Sequence, residues 1–146
     1  MNAGFDTILP GLVAKTYDIG ASAFGLTPER SKTVGFVPYV NGGSGLAAKA
    51  GNPLGPKREP MPLCGHSVSA QKGSVQGLDQ LPAISKKCTR AGKDPVRIDL
   101  FPSQDEANLA VVSGRVDAVM GEDGPARQVI TEPQHARTKA FLAAVR

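Results

Sequence analysis

The hydrophobic positions of this chain form short blocks whose spacing changes from helical to strand-like and back. Near the start, Phe5, Ile8, Leu9 and Leu12 recur at helical spacing, and Pro10 among them predicts a short, distorted helix. An amphipathic helix so early suggests that the sequence opens inside a folded domain.

Apolar runs bounded by Gly, Pro, Asn or Asp predict strands farther along the chain. These strands are expected at 17–23, 34–40, 46–50, 67–71, 96–101 and 116–120. Helices are predicted between them: after an N-cap at Thr27, from about 73 to 92 with a kink at Pro82, at 104–113 after a cap at Ser103, and beyond 124. Strands that alternate with helices indicate an α/β fold with a mainly parallel sheet flanked by helices.

Composition narrows the class of protein. The chain has 146 residues, enough for one domain or two small ones, and 40% of them are apolar, as in globular proteins. Its net charge of +4 comes from scattered Lys and Arg residues without flanking aromatics for stacking on bases, so we expect no nucleic-acid partner. No apolar run approaches the ~20 residues of a membrane span. The first residues lack the basic start and apolar core of a signal peptide.

The two cysteines, Cys64 and Cys88, have more than one interpretation. His66 and His135 do not stand at zinc-finger spacing, so we expect no metal site. A disulfide is favoured; it would close a loop of about 25 residues and would require an oxidising compartment. Two buried free thiols are the main alternative, and a catalytic or metal-binding pair is a weaker one.

The segment from Tyr17 to Arg30, which reads YDIGASAFGLTPER, carries the most informative chemistry. Its predicted strand ends in small residues, and a Thr-Pro-Glu-Arg turn then opens a short helix. Arg30 would therefore lie just past the C-terminal edge of a strand, where open α/β sheets bind ligands. Because a guanidinium can form two parallel hydrogen bonds with a carboxylate, the segment predicts a small ligand that bears one.

The order and spacing of several blocks resemble the extracellular solute-binding proteins of family 3, the polar amino acid type that serves ABC importers. The blocks span about 4–130 and include FDTILPGL, SAFGLTPER, VSAQKGSVQ and SGRVDAV. The resemblance implies a periplasmic-binding-protein-like fold of two α/β lobes joined by a hinge. We expect part of the first lobe at 1–50, a hinge loop at 51–62 and most of the second lobe at 63–146.

The same resemblance implies a site for a free amino acid. Arg30 would grip the α-carboxylate together with a helix start at 73–75, whose unpaired N–H groups suit an anion. Glu122 or Asp123 would receive the α-ammonium; aligning the following Gly-Pro favours Asp123, and an ungapped alignment selects Glu122. The full set of expected ligand-binding residues is Ser22, Ala23, Gly25, Arg30, Gly73, Ser74, Val75, Glu122 and Asp123.

Departures from the family pattern suggest a fragment truncated at both ends. Gly25 stands where a hydroxyl residue is usual, and Gly35 where an Asp is usual. The family's signal sequence and first strand would precede Phe5, and the closing segments of the first lobe are not evident after Ile130. The resemblance implies an extracellular or periplasmic, membrane-associated monomer that needs no cofactor and delivers an amino acid to an ABC transporter permease.

Three other functions compete with this binding role. A small dehydratase of the same fold would need a general acid or base, for which His66 is the only plausible histidine. A truncated remnant would have no intact ligand binding. A phosphate-binding protein is disfavoured, because the glycine-rich stretch at 41–45 precedes a strand and is not followed by Gly-Lys-Ser or Gly-Lys-Thr. We expect a binding protein rather than an enzyme.

Overall fold

A computed structural model describes residues 3–39, 41–48 and 63–123 of the chain. Within them, one sheet contains β1 (Gly43–Ala48), β2 (Ser67–Gln71), β3 (Arg97–Phe101) and β4 (Ala118–Asp123), in the order β1-β4-β2-β3. Strand β2 runs parallel to both β3 and β4, and β1 runs antiparallel to β4. The predicted α/β fold with a mainly parallel sheet is therefore confirmed.

The helices lie where the sequence predicts them, with small shifts at their ends. They are α1 (Phe5–Val13), α2 (Pro28–Ser31), α3 (Leu81–Arg90) and α4 (Gln104–Val112), and a π-helical turn at Gln76–Gln80 leads directly into α3. That wider turn precedes Pro82, whose ring would clash with a carbonyl of the preceding turn in a regular α-helix. The last helix, predicted beyond 124, lies outside the described residues.

The core has one layer on each face of the sheet, because successive strand residues point to opposite sides. One layer packs α3 against the sheet and contains Leu63, Val68, Ala70, Leu81, Cys88, Val96 and Ala118. The other packs α4 and contains Ala107, Ala110, Val111, Val116 and Val119. Between them, the fully buried Ser69 donates its hydroxyl hydrogen bond to the Ala107 carbonyl at 2.9 Å. Helices pack on both faces of the sheet, and the loops that follow β2 and β3 begin at its carboxyl edge.

The strands predicted at 17–23 and 34–40 are wrong for the residues described. Both segments run as turns and irregular backbone, with Ile19 83% exposed and Val37 70% exposed. A strand needs a neighbour to pair its N–H and C=O groups, and none of the described strands lies beside either segment. These segments have the composition of strands, but among the described residues they have no neighbouring strand with which to pair.

The disulfide prediction is confirmed. Cys64 and Cys88 are bonded, with their Cα atoms 5.5 Å apart. The bond ties the segment before β2 to the last full turn of α3, and Cys88 is fully buried within the core. It therefore holds α3 against the N-terminal end of β2.

The lobe boundaries stay a prediction, since the expected hinge at 51–62 falls outside the described residues. Strand β1, from the range assigned to the first lobe, is hydrogen-bonded to β4, from the range assigned to the second. No helix in the described ranges is long and apolar enough to cross a membrane.

Replacing Ser103 by alanine is expected to lower the free energy of unfolding by about 1 kcal/mol, as for other N-caps. The Ser103 hydroxyl accepts a hydrogen bond from the Glu106 N–H at 3.2 Å and donates one to the Glu106 carboxylate at 3.1 Å. Urea unfolding of Ser103→Ala measures the loss. Ser113→Ala, at the other end of α4, is the control. Equal losses in the two variants would contradict a specific capping role.

Candidate functional site

The guanidinium of Arg30 connects two loops that are far apart in sequence. Thr27 caps α2, accepting a hydrogen bond from the Arg30 N–H at 3.2 Å, and Pro28 begins the helix. This turn directs the side chain so that Nη1 donates to the Gly25 carbonyl at 3.0 Å and Nη2 donates to the Gly73 carbonyl at 2.5 Å. Arg30 thus bridges the loop at 20–25 and the turn after β2.

The backbone around the guanidinium is too close-packed for side chains at two glycines. Gly73 has φ +80°, and a Cβ there would lie 2.8 Å from Asp6 Cα. A Cβ on Gly25 would lie 2.6 Å from Val75 Cγ2. The family's usual hydroxyl residue at position 25 would not fit here unless Val75 moved.

Ser74 acts first as a local cap of the helix that follows. It is 8% exposed, and its hydroxyl accepts from the Gly77 N–H at 3.1 Å while donating to the Gln71 carbonyl at 2.7 Å. Its own N–H donates to the same carbonyl at 3.2 Å. A ligand carboxylate at this helix start would therefore have to use the other N–H groups of the first turn.

Glu122 lies in the electrostatic environment of Arg30 and Tyr39. Burial raises the pKa of the Glu122 carboxyl, and the positive charge of Arg30 partly opposes that shift. Burial, and to a smaller extent the Glu122 charge, raise the pKa of Tyr39. Asp123 is placed by its backbone pairing with Gly43 at the end of β4. The choice between Glu122 and Asp123 as ammonium partner stays a prediction.

A cavity of about 390 Å³ lies at the carboxyl ends of β2 and β3, and its lining includes neither Arg30 nor Glu122. One wall comes from the start of the chain and the loop at 17–22, and the other from the residues that end or follow β2 and β3. Its lining residues are Ala3, Gly4, Phe5, Ile8, Tyr17, Ile19, Gly20, Ala21, Ser22, Gln71, Pro102 and Ser103. Carboxyl strand ends are the usual ligand edge of an α/β sheet, so this cavity is the candidate binding space.

The structure brings together only part of the predicted set. Arg30, Gly25, Gly73 and Val75 lie in one cluster through the contacts above, whereas Ser22 is the predicted residue that lines the cavity. The Ser22 carbonyl accepts a hydrogen bond from the Tyr39 hydroxyl at 2.9 Å. Ala23 is exposed and lies outside the cavity lining.

Apart from Ser22, sequence reasoning named none of the lining residues as ligand-binding; Phe5, Gln71 and Ser103 are three of those it missed. Gln71 and Ser103 could have been found, because they end or follow predicted strands at the ligand edge of the sheet. Phe5 had no such signal, since its helical spacing indicated a core position. In the structure its ring stacks on Phe24, with centroids 4.7 Å apart.

Replacing Glu122 by glutamine is expected to stabilise the fold only slightly at neutral pH, because Glu122 is exposed overall and solvent screens the effect of its partial desolvation. The folded state holds the Glu122 proton more tightly than the unfolded chain, so ionisation costs stability as pH rises through the folded pKa. The urea midpoint of Glu122→Gln should therefore exceed that of the parent at pH 7 and converge with it in acid.

The exposed Asp79 provides the control, as Asp79→Asn removes one negative charge elsewhere. A midpoint difference for Glu122→Gln that stayed constant with pH, or that matched Asp79→Asn, would show that carboxyl burial has no such effect.

Comparison with known proteins supports one family. Residues 1–121 match the pattern of the bacterial extracellular solute-binding proteins, family 3. This match covers well over half of the chain, and the expected blocks lie within a confirmed α/β fold. The chain belongs to the bacterial extracellular solute-binding proteins of family 3.

Among curated relatives, the arginine-binding protein ArgT of Corynebacterium glutamicum is 31% identical over 146 residues, covering 96% of this chain and 46% of the relative. The L-arginine-binding protein of Pseudomonas aeruginosa is 33% identical over 120 residues, covering 81% and 42%. The chain therefore spans less than half the length of these two relatives.

Solved structures show the same relationship. An ancestral arginine-binding protein bound to arginine matches with a TM-score of 0.70 and 31% identity, over 84% of this chain and 50% of that one. The ancestral amino acid-binding protein AncCDT-1, described as a precursor of cyclohexadienyl dehydratase, matches with a TM-score of 0.66 and 26% identity, over 99% and 53%. The periplasmic-binding-protein-like fold is thus confirmed.

Proposed function

We propose that this chain supplies part of a cleft that binds a free polar amino acid, which the whole protein would deliver to an ABC importer. The observation that carries this proposal is the position of Arg30, whose guanidinium bridges the Gly25 loop and the Gly73 turn. That turn directly follows β2, whose last residue, Gln71, lines the cavity. Its two hydrogen bonds go to neutral carbonyls, and a carboxylate would be a stronger partner because it adds an opposite charge and can accept two parallel bonds. Relatives named as arginine-binding proteins make L-arginine the first ligand to test.

Most of the predicted ligand residues have a place in this proposal; Ala23, which is exposed and outside the cavity lining, has none. Arg30 and the first helical turn after Gly73 would receive the α-carboxylate, and Glu122 or Asp123 would receive the α-ammonium. Ser22 and Gln71 line the cavity, which would hold the ligand side chain. Pairing both charges suits a zwitterion that loses its water on binding.

The proposal places the protein outside the cytoplasm, as a monomer that meets a membrane-embedded permease. The family is described as extracellular. The Cys64–Cys88 bond is consistent with that location, because disulfides persist in oxidising compartments.

A dehydratase is not included in the proposal. His66, the histidine that reaction would need, directly precedes Ser67 at the start of β2, whereas the cavity lies beyond Gln71 at its end. His66 Nδ1 lies 3.5 Å from the Asp117 carboxylate, and Asp117 also accepts hydrogen bonds from the Ser67 N–H and hydroxyl. These contacts connect the N-terminal end of β2 to Asp117, which directly precedes β4.

Isothermal titration tests the binding proposal. L-Arginine, L-glutamine and L-lysine are titrated into the full chain, and agmatine, which is arginine without its α-carboxylate, serves as the control ligand. We expect heat from at least one amino acid and none from agmatine. Absence of heat from every amino acid would overturn the proposal in favour of a remnant, and binding of agmatine equal to that of arginine would remove the carboxylate from it.

A further inference from the structure

A second polar contact joins the two walls of the cavity, apart from the Arg30 cluster. Lys72 Nζ lies 2.9 Å from Asp6 Oδ2, and the Asp6 side chain is only 27% exposed, against 61% for Lys72. Asp6 lies between Phe5 and Ile8, which line one wall, and Lys72 directly follows Gln71 of the other wall. The ion pair therefore lies at the edge of the cavity, across the seam between its walls.

The surroundings favour this pair over an incidental surface contact. Asp6 is in the first turn of α1, where the helix dipole favours a carboxylate. The hydrogen bond from Lys72 is the largest cause of a lowered pKa for Asp6. Beside the pair, the backbones of Asp6 and Gly73 approach so closely that a Cβ at position 73 would lie 2.8 Å from Asp6 Cα. Backbone contact and ion pair thus coincide.

Two consecutive residues of the same turn connect the walls in different ways. Lys72 pairs with Asp6 of α1, and the carbonyl of Gly73 accepts from Arg30 of α2. The segment at 3–39 contributes no strand to the described sheet. These two contacts therefore help to position the cavity wall that this segment forms relative to the sheet.

We propose that the Asp6–Lys72 ion pair is a clamp that positions α1 and Phe5 over the cavity, so that ligand affinity depends on this pair and weakens as salt screens it. This inference rests on the proposed function for its ligand. Asp6 and Lys72 are positioning residues; neither lines the cavity.

Two single variants and their combination measure the clamp by affinity for L-arginine. Asp6→Asn and Lys72→Gln should each weaken binding by about twofold to fivefold at low salt, the range expected for a partly exposed ion pair. The double variant should lose no more than either single one, because each already breaks the same interaction. At about 1 M salt the variants should approach the parent, because screening removes the pair's advantage.

A readout without ligand keeps the clamp separable from the proposed function. Amide hydrogen exchange across α1 should speed up in Asp6→Asn and Lys72→Gln, and the charge-reversed pair Asp6→Lys/Lys72→Asp should recover part of the protection. Arg97→Gln is the matched control; it breaks the Arg97–Asp99 ion pair, 3.5 Å long and within one strand. It should leave both α1 exchange and affinity unchanged.

The possible outcomes distinguish failure of the clamp from failure of the proposed binding function. Unchanged α1 exchange in both single variants, or an Arg97→Gln effect of equal size, would overturn the clamp. If the parent binds no amino acid but α1 exchange still speeds up in both variants, the proposed function fails and the clamp is supported. If the parent binds arginine and the variants bind it equally well at low salt, the binding function stands and the clamp fails.

Discussion

Replacing Arg30 by alanine is expected to weaken amino acid binding by about 30-fold or more, corresponding to at least roughly 2 kcal/mol for breaking a buried charge pair. The ligand carboxylate would lose its charged partner, and the bridge to the carbonyls of Gly25 and Gly73 would be lost with it. Arg30→Lys should recover only part of this affinity, because an ammonium is a point charge without the planar fork of a guanidinium. Isothermal titration with L-arginine measures both variants.

The control for Arg30 is on the same helical turn. Lys32 is exposed and pairs with Glu29 at 3.5 Å, so Lys32→Ala removes one positive charge without touching the cavity or the Gly73 turn. Its affinity should equal that of the parent. Equal losses in Arg30→Ala and Lys32→Ala would mean that net charge, rather than a positioned guanidinium, governs binding. Urea unfolding of each variant reveals any loss that comes from the fold.

Reduction of the Cys64–Cys88 bond is expected to lower the free energy of unfolding by about 3 kcal/mol. The bonded cysteines are 24 positions apart in sequence. Closing a loop of this length restricts the unfolded chain, which raises the free energy of unfolding by about 3 kcal/mol. Because Cys88 is fully buried, the reduced protein also has to keep a thiol within the core. Urea unfolding with and without a phosphine reductant measures the change.

The matched control is the double variant Cys64→Ala/Cys88→Ala. It should unfold at the same urea concentration with and without reductant, close to the reduced parent. A reductant effect of similar size in this variant would show that the reagent, not the disulfide, causes the change. Affinity should change less than stability, because the bond lies at the start of β2 and the cavity at its end.

The second half of the fold could be predicted because its signals are local. Ser103 precedes α4 as a cap, and the buried Ala107, Ala110 and Val111 form one stripe of that helix. Strands β2 and β3 alternate polar with apolar residues. Such signals decide an element without reference to distant parts of the chain. The kink expected at Pro82 also rests on a local signal, and in the structure a π-helical turn directly precedes the helix that contains this proline.

The first part was predicted less well because strands depend on partners. The segments at 17–23 and 34–40 have strand-like composition, yet pairing is decided by residues far away in sequence. Strand β1 shows the same dependence, since it was found but its antiparallel pairing with β4 was not foreseen.

In the candidate site, too, local motifs could be predicted from the sequence and contacts between distant residues could not. Arg30 and the cap at Thr27 could be read from one short motif, and their geometry follows it. The cavity wall that contains Phe5 could not be predicted from the sequence. Helix residues that line a cavity recur at the same spacing as helix residues that face a core. The close approach of Gly25 to Val75 likewise joins residues 50 positions apart. No local pattern encodes it.

The closed disulfide gives this molecule a practical property. Both cysteines of the sequence are joined to each other, so the oxidised protein has no thiol available for alkylation. A cysteine introduced at Ala21, an exposed residue of the cavity wall, would therefore be the single attachment point for a thiol-reactive dye. An environment-sensitive fluorophore there would sit at the cavity while the native bond lies at the other end of β2, so its emission would report directly on the proposed amino acid binding.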